Sequence, residues 1–163
     1  SGDGVFGRLF SFEYEENSPS QLNSTPTICP LLNEFQVNTY TSSSQSSPSV
    51  SAFTNGNFVT TWQSSGQDES SFGNFGQIFN RNGDKVGLEF LVNTYTSDSQ
   101  SQPSVSVLPN NNFVVIWQSH GQDGSDSGIY GQLFNETGSK VGDEFQANTY
   151  TSSTQYDPSV SVF

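Results

Sequence analysis

Apolar and polar residues alternate along much of this chain with the two-residue period of β-strands. The clearest stretch is NFVVIWQS, where Phe113, Val115 and Trp117 face one way and Val114 and Ile116 the other. Both faces are apolar, which predicts a central strand covered on two sides. An earlier, wetter copy places Phe58, Thr60 and Trp62 on one face and Val59 and Thr61 on the other. In GIYGQLF, Tyr130 and Phe134 share a face opposite Ile129 and Leu133, and the aromatic pair recurs as Phe75 with Phe79 and as Phe6 with Phe10. A third pattern, EFxVNTYT, aligns Phe35 with Val37 and Phe90 with Val92. The links carry turn chemistry: TNGN at 54–57, PNNN at 109–112, and the glycine-bearing NRNGDKVG and NETGSKVG. Gly7, Gly76 and Gly131 sit inside strands, which marks a bulge or a close backbone approach. No stretch reads as a helix.

These patterns repeat. NTYT begins at 38, 93 and 148, PSV at 48, 103 and 158, and WQS at 62 and 117, all in steps of 55. GVFGRLF, at 4, lies 69 residues before its next copy, so the first copy carries 14 extra residues. The expected fold is all-β. It consists of tandem four-stranded antiparallel modules, propeller-blade-like or packed as a β-sandwich, with an incomplete terminal module. The strand types in chain order are a (EFxVNTYT), b (PSVSVL), c (NFVVIWQS) and d (GIYGQLF). One domain over 1–163 divides into an N-terminal strand (1–10), an insertion (11–32), module 1 (33–79), module 2 (80–134) and an incomplete module 3 (135–163). Propellers close with about 4–8 blades, more than this chain can supply.

Read in order, the strands run d, insertion, a-b-c-d, a-b-c-d, a-b. Eleven strands are legible and one c, the most apolar type, is missing. Its place should present an apolar groove and open strand edges, which proteins cover. The insertion offers a candidate filler in Thr27–Leu32, with Ile28, Leu31 and Leu32 as an assembly strand donated within the chain or to a neighbour. Pro26 and Pro30 count against it, because proline cannot donate to a ladder.

Composition narrows the class. Hydrophobic residues make up only 31%, but 14 Phe, 6 Tyr and 2 Trp give a thin aromatic core and argue for a folded chain. The formal net charge of -12 repels nucleic acid and anionic membranes. No apolar run reaches the ~20 residues of a membrane helix. Cys29 is the one cysteine, so no internal disulfide forms, and it reads as a buried inert thiol. The Ser/Thr/Asn/Gln/Gly-rich surface points outside the cell. The N-terminal SGDGVFGRLF lacks the basic start and apolar run of a signal peptide, so the sequence reads as mature, processed or part of something longer.

The segment from Asn110 to Thr151, with its FVVIW strand, SxGQDGSxxGIYGQ link and GxEFxxNTYT strand, resembles a tandem repeat of large bacterial secreted and cell-surface proteins. Those proteins are adhesin-like and often carry calcium-binding repeats. The resemblance covers 33–163 and part of 1–10. It implies an extracellular adhesive or scaffold role with no catalytic residue to carry over. The low copy number and the insertion depart from it.

Candidate chemistry is sparse. His120, the lone histidine, sits in a loop and belongs to no readable triad or dyad. No cofactor is expected. Calcium is the one metal that the composition favours, through Asp68, Asp123 and Asp126 on glycine-bearing loops; the competing reading is a turn in which Asp accepts backbone amides. Trp62 with Gln63 and Trp117 with Gln118 form a repeated aromatic–amide pair suited to sugar stacking, although both tryptophans fall in phase with the core face of their strand. Asn23 and Asn135 open N-glycosylation sequons. The leading expectation is a non-catalytic structural subunit of an extracellular fibre or surface assembly, self-associating by β-strand or edge complementation. The alternative is a carbohydrate-binding adhesin or lectin-like module.

Overall fold

The computed structural model describes residues 3–13, 27–31 and 33–162. It is all-β. The strands are β1 (Phe6–Gly7), β2 (Phe10–Glu13), β3 (Thr27–Pro30), β4 (Phe35–Gln36), β5 (Gln45–Ala52), β6 (Phe58–Ser65), β7 (Phe72–Phe79), β8 (Lys85–Leu91), β9 (Gln100–Val107), β10 (Phe113–His120), β11 (Ser127–Phe134) and β12 (Lys140–Gln146). Two four-stranded antiparallel sheets, β5-β6-β7-β8 and β9-β10-β11-β12, are tandem copies of one module. Two-stranded pieces, β1-β4 and β2-β3, precede them.

The type c strands are internal, as their two-sided apolar pattern requires: β6 lies between β5 and β7, and β10 between β9 and β11. The phase of the repeat differs from the sequence modules. Each sheet runs b-c-d-a, because the NRNGDKVG and NETGSKVG turns fold strand a back onto strand d. The sheets therefore span Gln45–Leu91 and Gln100–Gln146.

Strand a also ends earlier than its pattern suggests. The NTYT residues that follow form a polar knot. The Asn93 side chain accepts Asn74 N–H at 2.8 Å and donates to Tyr95 O and Gln100 Oε1, while Gln100 donates to Ser97 O. Asn38 with Gln45, and Asn148 with Gln155, repeat the arrangement. Asparagine and glutamine are placed here because they saturate buried backbone groups where the ladder stops.

Two aromatic layers hold the stack together. Val5, Val37, Phe58, Trp62, Phe75 and Phe79 pack between β1-β4 and the first full sheet. Phe53, Val59, Ile78, Val105, Phe113, Trp117, Tyr130 and Phe134 pack between the two full sheets. The layers are built from the same repeat positions: Phe58 stacks on Phe79 with centroids 5.1 Å apart, and Phe113 on Phe134 at 5.0 Å. The first strands of successive sheets run parallel, since Val105 and Val107 N–H donate to the hydroxyls of Ser49 and Ser51 at 3.1 and 3.0 Å. Parallel stacking of like strands is the blade-like arrangement. The last type b segment, 158–162, is not a ladder strand, although Val160 N–H still docks on Ser104 Oγ at 3.1 Å. Among the described residues no type c strand lies beside it.

The insertion lengthens the d–a hairpin of the first module. Phe10 pairs with Pro30 and Phe12 with Ile28, and Leu31 N–H donates to Leu9 O. The strand Thr27–Pro30 thus pairs with its own chain beyond the end of strand d, and does not enter the place of strand c.

The strand glycines serve a close approach. A Cβ on Gly76 would meet the Phe90 ring at 2.6 Å, and one on Gly131 the Phe145 ring at 2.6 Å. Beside each lies a register shift, where the buried Gln77 or Gln132 amide donates to carbonyls of the next strand. Gly→Ala within a strand ordinarily stabilises, by removing backbone entropy. Here the ring must move, so Gly76→Ala is expected to cost about 1–3 kcal/mol in urea unfolding, and to cost less when made in a Phe90→Ala background than in the parent. A neutral or stabilising Gly76→Ala would contradict this.

Candidate functional site

The most distinctive feature of the surface is an unfinished sheet. In the full modules the d strand is flanked on both sides, β7 by β6 and β8, and β11 by β10 and β12. β1 pairs with β4 on one edge, and among the described residues no strand lies along the other. Beside that edge opens an apolar groove of about 490 Å³, whose walls include Leu9, Phe35, Val37, Val50, Ala52 and Phe58.

Exposure measures what is missing. Phe6 is 56% exposed, whereas its counterparts Phe75 and Tyr130 are each 7%. Phe10 is 50% exposed against 0% for Phe79 and Phe134, and Val50 is 64% against 6% for Val105. At the other end of the stack Phe145 is 44% exposed, while Phe35 and Phe90, its counterparts, are half-buried against the following sheet. Phe35 lies 5.6 Å from Phe79, and Phe90 lies 5.5 Å from Phe134.

Polar clamps repeat at each junction. Glu89 accepts Thr39 N–H at 2.7 Å, Lys85 donates to Thr39 Oγ1 at 2.9 Å, and Gln67 donates to the second Glu89 oxygen. Thr94, Lys140, Gln122 and Glu144 reproduce the set. Tyr95 joins the second clamp around an open cavity of about 600 Å³. Burial lowers the Lys140 pKa and the Glu144 carboxylate works against that shift. Burial raises the Tyr130 phenol, helped by the negative charges of Asp123 and Glu144 and by Tyr95.

The structure places the other sequence candidates elsewhere. Trp62 and Trp117 are both 0% exposed, so neither can stack on a sugar. The ligand-binding role assigned to them is corrected, and their phase with Phe58 and Phe113 is the reason. Gln63 links modules by accepting Gln102 N–H at 2.9 Å and donating to Ser46 Oγ, and Gln118 donates to Ser127 Oγ. The calcium candidates are not brought together. Asp68 and Asp123 accept Ser70 and Ser125 N–H in tight turns, and Asp126 accepts Thr154 Oγ1 and lies 3.4 Å from His120 Nε2. Among the described residues no three His, Cys, Asp or Glu side chains form a group able to hold a metal. The second oxygens of Asp68 and Asp123 are nevertheless buried without a partner.

Of the assembly-strand candidates, Ile28 and Leu31 are each 58% exposed, and Leu32 lies outside the described residues. Cys29, free and half-buried in β3, is more open than the buried thiol expected. Asn135 holds its turn by accepting Thr137 and Ser139 N–H, and Asn23 lies outside the described residues. Among the described residues no helix is long and apolar enough to cross a membrane. Compared with models of known protein families and with curated proteins, the chain matches none.

Sequence reading did not single out Phe145, Thr149 or Glu34. Their signal lay in the repeat itself, as members of sets whose other copies have partners.

The Tyr130 shift has a definite sign. A phenol pKa raised by folding means that the folded state holds its proton more tightly, so this contribution is present below the ordinary value of about 10 and is lost as pH rises through the raised value. The lowered Lys140 pKa acts in the opposite sense, adding stability as pH rises through it. Tyr130→Phe, which restores the residue type found at Phe75, should match the parent within about 1 kcal/mol at pH 7 and lose less stability above pH 10, as read by urea unfolding across pH. Parallel pH profiles for the two proteins would rule this out.

Proposed function

We propose that this chain is a non-catalytic structural subunit of an extracellular fibre or surface assembly, joined to copies of itself by completion of its unfinished sheets. The observation that carries this reading is the exposure contrast: Phe6, Phe10 and Val50 stand 50–64% exposed where their repeat counterparts are buried. Contiguous apolar surface beside an open strand edge is a site for strand addition. The resemblance of the repeat to those of bacterial secreted and cell-surface proteins supports the extracellular setting. So does the acidic, hydroxyl-rich composition, with sixteen Asp and Glu against four Lys and Arg. An adhesive role at the cell surface follows from the same resemblance, with glycans on the Asn135 sequon as a compatible modification.

Light scattering of the purified chain over a wide concentration range tests the reading. Mass should rise with concentration, and a synthetic peptide of residues 112–119, the type c strand, should bind the groove and suppress the rise. A chain that stays monomeric throughout and ignores the peptide would overturn it.

A further inference from the structure

Each polar clamp between modules borders a cleft, and the second of the two is furnished for a ligand. At the first junction Thr39, Tyr40, Gln67, Leu88 and Glu89 line a cavity of about 440 Å³. At the second, the corresponding Thr94, Tyr95, Gln122, Asp143 and Glu144 line one of about 600 Å³, together with Gln132 and Lys140. Both volumes fall in the range of small-molecule sites, ~300–1,000 Å³. Neither cleft is an end of the stack. The first is followed by a complete sheet, β9-β10-β11-β12, and still stands open, with Leu88 88% exposed. A module stacked in the same way after β12 would leave the matching residue, Asp143, equally open.

The second cleft carries acceptors that have no donor. Gln132 is 1% exposed, and its Nε2 donates to Leu133 O at 3.0 Å, Val141 O at 3.3 Å and Gly142 O at 3.1 Å. Three carbonyls around one atom settle which end of the amide is nitrogen. Its Oε1 is buried without a partner among the described residues. Gln122 is oriented in the same way, by donating to Glu144 at 2.6 Å, and its Oε1 is also buried and unpartnered. A buried acceptor left unmatched is costly, so a donor brought by a ligand recovers free energy there.

The other lining groups select the ligand's class. Two carboxylates, Asp143 and Glu144, stand against one ammonium, Lys140, in a chain of net charge -12, which disfavours an anion. Lys140 is held in place by donating to Asn93 O at 3.2 Å and Thr94 Oγ1 at 2.8 Å, and its charge disfavours a cation. Tyr95 is the one aromatic ring of the lining and no aliphatic side chain joins it, so an apolar ligand finds little to bury against. An uncharged molecule rich in hydroxyls, with a C–H face for the tyrosine ring, meets every one of these conditions.

We propose that the cleft between the two full modules binds a neutral saccharide. Gln122 Oε1, Gln132 Oε1 and the Asp143 carboxylate accept its hydroxyls, and the Tyr95 ring packs on its C–H face. This moves glycan recognition from the buried tryptophans to the module junction, and it stands whether or not the chain self-associates. The first cleft, with Leu88 in place of Asp143, is the built-in control.

The test is an NMR titration of the dilute isotope-labelled full chain. The probes are glucose, galactose, mannose, N-acetylglucosamine, lactose and cellobiose, with sialic acid and choline as charged comparisons. At least one neutral sugar should saturably shift the side-chain amides of Gln122 and Gln132 and the backbone amide of Tyr95, and leave Tyr40 and Gln67 unmoved. Asp143→Leu, which copies the first junction at an exposed position, should weaken this binding about tenfold or more, and Asp143→Asn should keep part of it. Tyr95→Ala, whose backbone carbonyl still accepts from Asn93, should also weaken binding with the rest of the spectrum unchanged. Four results would each overturn the proposal: no shift with any neutral sugar, tighter binding of sialic acid or choline, equal shifts at both junctions, or full binding by both Asp143→Leu and Tyr95→Ala.

Discussion

A sheet this poor in apolar residues is stable only with another sheet against its aromatic face. Each module supplies one row of large rings, Phe58, Trp62, Phe75 and Phe79 in the first copy and Phe113, Trp117, Tyr130 and Phe134 in the second, and each row is closed from outside by a neighbouring sheet. Burying such rings contributes about 1.5–3 kcal/mol each, relative to leaving them in water, which is the main source of stability in a chain with 31% hydrophobic residues. Stability is therefore a property of stacked modules, as in other repeat architectures. A module at the end of a stack leaves part of its ring surface in water.

The polar parts of the repeat follow from the same constraint. Stacking sheets with like strands parallel brings an unpaired ladder edge of one module beside the serine face of the last, and the hydroxyls take the edge amides. Pro48, Pro103 and Pro158 stand two residues before the capped or edge amides of Val50, Val105 and Val160. With the alternation of a strand they share that outward edge, where the missing N–H costs nothing. The asparagine–glutamine knots close the ladder ends, and the threonine–glutamate–lysine clamps fix the rotation of one module on the next. Charge is scarce because little of it is used: one glutamate and one lysine per internal junction.

Much of this was legible in the sequence. The 55-residue step, the internal position of strand c and the incomplete module are direct readings of periodicity. The fate of the tryptophans was legible as well, since Trp62 and Trp117 keep phase with phenylalanines that the alternation places inside. Other features were not. NTYT reads as a strand continuation by its β-branched and aromatic residues, yet the buried Asn38, Asn93 and Asn148 turn the chain there by capping backbone groups, a tertiary role that propensity cannot register. The sheet boundaries depended on whether strand a pairs backward or forward, and local pattern is silent on that choice. Thr27–Leu32 has the composition of a donated strand. The pairing of Thr27–Pro30 with Phe10–Glu13 follows from hairpin geometry, as the direct lengthening of an existing d–a turn. Asp68, Asp123 and Asp126 share a ligand-like composition, and the fold spends them on separate turns.

Amide hydrogen exchange is the most direct measure of whether neighbouring modules finish one another. Val105, Val107 and Val160 occupy capped edge positions, and Val50 and Ala52 are the matching amides with no cap among the described residues. In dilute monomer the first set should exchange slowly and the second close to the unprotected rate, and concentration should bring Val50 and Ala52 into the protected class. Equal protection of both sets at every concentration would contradict the dependence of each sheet edge on the module beside it.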